Sequence, residues 1–135
     1  AEAARMVEHA YSVGLLGKGS DAANHQKLRQ QIQQRLNEDD KALPALEKAA
    51  KDGNAFASLA DVYAAKQKWD IAQTYFTKAL AVGGLRREAE TRLHAGIVLF
   101  KGGQKAEALK MWDSLEGDVT AVELANLWKT WARQN

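Results

Sequence analysis

The chain has 135 residues, enough for one compact domain and too few for two ordinary ones. Ala and Leu supply 40 of them against 10 for Val and Ile, and there is one proline, a balance that favours helix over sheet. With 19 basic and 17 acidic side chains the composition demands no polyanionic partner, and with no cysteine it excludes disulfides, thiolate zinc sites and thiol nucleophiles.

In chain order, the opening stretch 2–16 places Ala3, Met6, Val7, Ala10, Tyr11 and Val13 close to one helical face. Gly17-Lys18-Gly19-Ser20 ends it, and Asp21 can cap the next helix. From 22 to 38 a thin apolar stripe, Leu28, Ile32 and Leu36, runs among five glutamines and predicts a mostly wet helix. Asp39 or Asp40 then caps a separate short helix with Pro44 in its first turn, where a missing backbone donor costs nothing. Lys51-Asp52-Gly53-Asn54 closes it. Further helices are predicted over 55–65, 69–82, 86–100 and 105–115, joined by links so short that neighbours should run antiparallel. A last helix opens on the capping box Thr120-Ala121-Val122-Glu123 and carries Leu124, Leu127, Trp128 and Trp131. No stretch reads as a strand, and no apolar run approaches the roughly 20 residues that span a bilayer.

The chain repeats itself. Leu59-Ala60-x-x-Tyr63 aligns with Ala95-Gly96-x-x-Leu99, and Ala72 and Phe76 align with Ala108 and Trp112, all at an offset of 36 residues. Phe56, Leu59, Ala60, Tyr63, Ala72, Phe76 and Ala79 stand in order at the signature positions of the tetratricopeptide (TPR) repeat, which this sequence resembles. The second unit fits less closely, with Arg92 in place of the leading aromatic. The family's period is about 34 residues, so 83–87 is read as a two-residue insertion. Upstream, 46–55 resembles the join between units in Sel1-like repeats, a sister class.

The resemblance implies an all-α fold of seven or eight helices, with antiparallel hairpins stacked as a right-handed TPR-like solenoid. It would form a single helical-repeat domain over 1–135: divergent N-terminal helices over 1–52, two TPR-like units over 53–116 and a C-terminal capping helix over 117–135. Trp128 and Trp131 are expected as core residues closing the stack, the alternative being an exposed aromatic patch for a partner.

Few residues stand in a spacing that chemistry requires. Gly14–Ser20 lacks the first glycine and the hydroxyl of a phosphate loop, and no strand precedes it. His9, His25 and His94 show no metal-ligand spacing. The acidic run 38–40 suits a helix start better than paired acid–base work. The basic points Arg86, Arg87 and Arg92 are diluted by Glu88 and Glu90, so nucleic acid is not expected. The reading is therefore non-catalytic, with no cofactor, no metal and no membrane insertion. Bacterial periplasm and cytoplasm are both compatible, with the Ala1-Glu2 start leaning slightly to the periplasm.

In the family the first helices of successive units line a concave groove that receives a peptide or a partner helix. By that resemblance the groove positions would be Asn54, Ala57, Asp61, Ala64 and Ala65 in the first unit, and Glu90, Leu93, Ile97, Phe100 and Lys101 in the second. Ala57, Asp61 and Glu90 replace the carboxylate clamp that some members carry, leaving a groove suited to an apolar segment. The expected function is a protein–protein interaction module. The alternative is a structural spacer or cap whose groove is filled internally, for instance by the N-terminal helix.

Overall fold

The computed structural model describes residues 2–135 and is all-helical, with seven helices and no strand among the described residues. The helices are α1 (Glu2–Ser12), α2 (Ala22–Ala49), α3 (Gly53–Ala65), α4 (Trp69–Val82), α5 (Glu88–Lys101), α6 (Lys105–Asp113) and α7 (Val119–Gln134). The chain divides into two units, one ending at Ala49 and the other spanning Ala50–Asn135.

In the first unit α1 packs against α2. Arg29 joins them, donating through Nε to a Glu8 carboxylate oxygen at 2.6 Å while its guanidinium lies 4.7 Å from the centre of the Tyr11 ring. The glycine-rich link turns where Gly14, Gly17 and Gly19 take positive φ, and the Gly17 N–H donates to His25 Nδ1 at 3.2 Å. The expected break near residue 39 does not occur. Helix α2 runs unbroken for 28 residues, with Pro44 inside it. Asn37, Asp39 and Asp40 are weak helix formers but not breakers, each costing at most about 0.7 kcal/mol, beside about 3 kcal/mol for the interior proline. Only Leu43 is buried in this unit among the described residues.

The second unit holds most of the core. Contacts join α3 to α4, α4 to α5, α5 to α6, and α7 to both α5 and α6; α3 also touches α5. Asp52, read from sequence as part of a helix stop, instead caps α3 by accepting the Ala55 N–H at 2.8 Å. Gly53 begins that helix because a Cβ there would run into the Gly83 carbonyl, with the Ala79 carbonyl only 3.0 Å away. Leu59, Ala60, Tyr63, Ala72, Phe76 and Ala79 are all buried between α3 and α4.

The second pair of helices repeats this arrangement with a larger aromatic. Trp112 is 1% exposed and donates its indole N–H to the Leu93 carbonyl at 3.2 Å. It packs so tightly on Gly96 that a Cβ there would lie 2.6 Å from the indole Cδ1. Around it gather Leu93, Leu99, Ala108, Leu115, Ala121, Ala125 and Ala132.

Helix α7 starts earlier than its sequence suggested. Asp118, not Thr120, is the cap, accepting the Ala121 N–H at 2.9 Å. Its inward face also differs from expectation: Ala121, Ala125 and Ala132 are buried, whereas Leu124, Leu127 and Trp131 are exposed and Trp128 is half-buried. Since Trp112 already fills the space beside α5 and α6, the inner face of α7 carries alanine.

Candidate functional site

Positions 121, 125, 128 and 132 fall on one line of α7, and 124, 127 and 131 on a second line about 100° round the helix. The first line is spent on the core. The second is made of large apolar residues facing solvent, with Leu127 67% and Trp131 44% exposed. Trp128 stands between them and joins the two environments.

The aromatic rings form a continuous chain from interior to surface. Phe100 lies 6.3 Å from Trp112, 6.4 Å from Trp128 and 5.1 Å from Trp131, the last contact edge-to-face. Trp128 and Trp131 meet at 90° with centroids 5.6 Å apart. Each such aromatic pair adds about 0.5–1.5 kcal/mol beyond the area it buries, which favours this arrangement of rings. Beside them Lys101 Nζ sits 5.2 Å from the Trp131 centroid and 5.8 Å from that of Trp128, a cation–π arrangement. No carboxylate pairs with this ammonium among the described residues.

Lys101, Leu124, Leu127, Trp128 and Trp131 line an open cavity of about 280 Å³. Small-molecule sites span roughly 300–1,000 Å³ and enclose most of their ligand, so this hollow lies at the small end of that range and is more open. Among the described residues no three His, Asp or Glu side chains cluster to hold a metal, and no helix is long and apolar enough to cross a membrane.

The expected groove residues have separate fates. Lys101 lines this surface, Phe100 is half-buried against the core with its ring edge-to-face on Trp131, and Ile97 is half-buried against the core. Leu93 is 5% exposed and lies in the core, its carbonyl engaged by Trp112. Asn54 braces the link between α4 and α5, donating to the Gly84 carbonyl at 3.1 Å and accepting the Arg86 N–H at 3.0 Å. Ala57 and Ala64 are half-buried on α3, while Ala65 is exposed. Glu90, in the first turn of α5, pairs with Arg87, the residue that precedes the helix.

Asp61 is exposed and bonds His94 Nδ1 at 2.8 Å, tying α3 to α5. That bond holds the His94 pKa above its ordinary value, against the opposing effect of burial; Glu90 adds to the rise and Arg87 works against it. The sequence reading places Asp61 in the groove and leaves His94 unassigned, although a separation of 33 residues is close to the repeat offset and so sets them on neighbouring helices of like position.

Trp131, expected in the core with an exposed patch as the alternative, lies on the surface, together with Leu124 and Leu127, to which the sequence reading gives no role. A signal was present: alanines at 121, 125 and 132 form a second stripe on the same helix, of the kind that permits close packing. The basic residues near the start of α5 are largely paired, Arg92 with Glu88 at 2.8 Å and Arg87 with Glu90. Comparison of the chain with protein-family models, with curated proteins and with solved structures gives no match in any of the three.

Proposed function

We propose that this chain is a non-catalytic protein-interaction module of TPR-like build, whose helical hairpins stack as a right-handed solenoid and which grips an apolar segment of a partner protein on the surface formed by α5 and α7. The observation that carries the reading is the outward stripe of α7, where Leu124, Leu127 and Trp131 stand exposed beside Phe100 and Lys101 while alanines face the core. A helix that places its large apolar residues in water and its small ones inside is built to be covered by something else.

The repeat interpretation draws support from the pairing order of α3 to α7 and from the 36-residue offset between the starts of α4 and α6. It also draws on the matched small–large pairs Ala60 with Phe76 and Gly96 with Trp112. Each large apolar side chain of the stripe contributes up to about 1.5–3 kcal/mol when fully covered, before ordering costs. The Lys101 ammonium at the rim favours a segment with an acidic residue next to its apolar ones. Nucleic acid is disfavoured by the ion pairing of Arg87 and Arg92, and neither a cofactor nor a metal is needed.

The test is retention of partners from the source organism by wild-type protein and by a Leu127→Asp, Trp131→Ala variant, with circular dichroism confirming the helicity of both. A protein held by wild type alone supports the module. Identical retained sets refute it and favour the spacer reading, which the bracing role of Asn54 and the burial of Leu93 also fit.

A further inference from the structure

Helix α2 carries a second unpartnered face, in the other unit. Leu28, Ile32, Arg35, Asp39, Ala42 and Leu46 recur at spacings of four, three, four, three and four. At 3.6 residues per turn they lie within about 40° of one line along the helix, the seam that a seven-residue repeat offers to a second helix. Ile32 is half-buried and the other five are exposed, with Leu28 at 45% and Leu46 at 53%.

Helix α1 does not cover this line. It bonds through Glu8 and Tyr11 to Arg29, which lies about 100° round α2 from Leu28. The half-buried or buried residues His25, Leu36 and Leu43 fall on that same flank, about 60–80° from the line. Length gives the same answer, since 11 residues of α1 reach about 16 Å while the 28 of α2 extend about 42 Å. Pro44 lies about 160° from the seam, so its ring stays clear of it.

The chemistry of the seam identifies its occupant. Its spacing reads the same from either end about Asn37. Turned antiparallel, a second copy sets Leu28 against Leu46, Ile32 against Ala42 and Arg35 against Asp39, each pair occurring twice across the dyad. In a parallel pair Arg35 would meet Arg35 and Asp39 would meet Asp39. Neither Arg35 nor Asp39 enters an ion pair among the described residues. The charge along the helix is polarised in the same sense: Lys27, Arg29 and Arg35 carry no acid among them, and Glu38, Asp39 and Asp40 follow at once. A charged layer flanked by apolar ones is also what fixes register in paired helices.

We propose that α2 is a self-association helix that pairs antiparallel with the same helix of a second copy of this chain along residues 28–46, in the register that sets Arg35 against Asp39. The pairing uses a different unit from the α5–α7 surface and stands or falls independently of it.

Because the native chain has no cysteine, disulfide trapping in the full-length protein reads the pairing without background. A Leu28→Cys, Leu46→Cys variant under mild oxidation gives covalent dimers on a denaturing gel, whereas each single variant stays monomeric. An intramolecular bridge is impossible, because the two positions lie about 27 Å apart along one helix. Light scattering over a wide concentration range shows a dimer for wild type. It shows a monomer for Arg35→Asp, which puts acid against acid, and the dimer returns in Arg35→Asp, Asp39→Arg. Circular dichroism on each variant separates loss of pairing from loss of helix.

The proposal is overturned if the double-cysteine variant stays uncrosslinked while wild type scatters as a monomer throughout. Crosslinking of Leu28→Cys alone indicates a parallel pair and overturns it too. So does a dimer that survives Arg35→Asp and is lost in Leu127→Asp, which assigns association to α7.

Discussion

Replacing Gly96 with Ala tests the packing on which the second unit rests. In an ordinary helix interior this change stabilises by about 0.5–1 kcal/mol, because glycine loses more backbone freedom on folding. Here the added Cβ would sit 2.6 and 2.7 Å from Cδ1 and Cε2 of Trp112, a side chain 1% exposed and walled in by the core. Forcing a methyl group into such a space costs about 1–3 kcal/mol. Displacing the indole also disturbs its hydrogen bond to the Leu93 carbonyl, a further loss of about 1 kcal/mol. The net expectation is a destabilisation of about 2 kcal/mol, or a fall in Tm of about 8–16 °C for a unit of this size. Urea unfolding followed by circular dichroism measures it. The equivalent pair in the first unit, Ala60 with Phe76, supplies a compensating change. Trp112→Phe removes the crowding ring atoms, so Gly96→Ala, Trp112→Phe should be more stable than the summed single effects by at least about 1 kcal/mol. A Gly96→Ala variant as stable as wild type, or a strictly additive double variant, would refute the reasoning.

Caps and charges give two further outcomes. Asp118→Ala should cost about 0.5–2 kcal/mol through loss of the bond to the Ala121 N–H, while Thr120→Ala should change stability by less than about 0.5 kcal/mol; equal effects on thermal unfolding would contradict the assigned helix start. The Asp61–His94 bond should make stability depend on pH. The His94 pKa is raised in the folded state, so its contribution is fully present below the unfolded value near 6.5 and disappears as pH rises through the folded value. Both groups are partly exposed, which limits the contribution to less than about 1 kcal/mol. Asp61→Asn should therefore weaken the protein more at about pH 5 than at about pH 9, and an NMR titration should show its His94 pKa moving down.

The legible part of the sequence was local. Apolar period and short links delimit α4 to the residue at Trp69–Val82 and place the 36-residue offset that sets Phe76 and Trp112 in like surroundings. Helix ends were less legible, because a cap is chosen by geometry as well as residue type. Asp118 had a competitor in Thr120, Asp52 read as part of a stop, and Asp39-Asp40 resembles a cap yet lies within continuous helix. The candidate site was half legible: Lys101 lines it and Phe100 supports it through Trp131, whereas Leu93 turns inward and Asn54 braces a link. The missing half, on α7, depended on what fills the adjacent space, which no short-range pattern records.

That dependence runs through Trp112. An indole in place of the first unit's phenyl ring requires Gly96 on one side, and on the other it leaves a floor that α7 meets with Ala121, Ala125 and Ala132. Once alanines occupy the inner line, the large residues of α7 have no interior left to enter. Phe100 then bridges the buried indole to the exposed one, and Lys101, the next residue in sequence, lies over the outer rings. The same substitution of ring size that completes the core therefore creates the surface. Shrinking Trp112 should loosen the rings at the α7 face even though that side chain is itself buried.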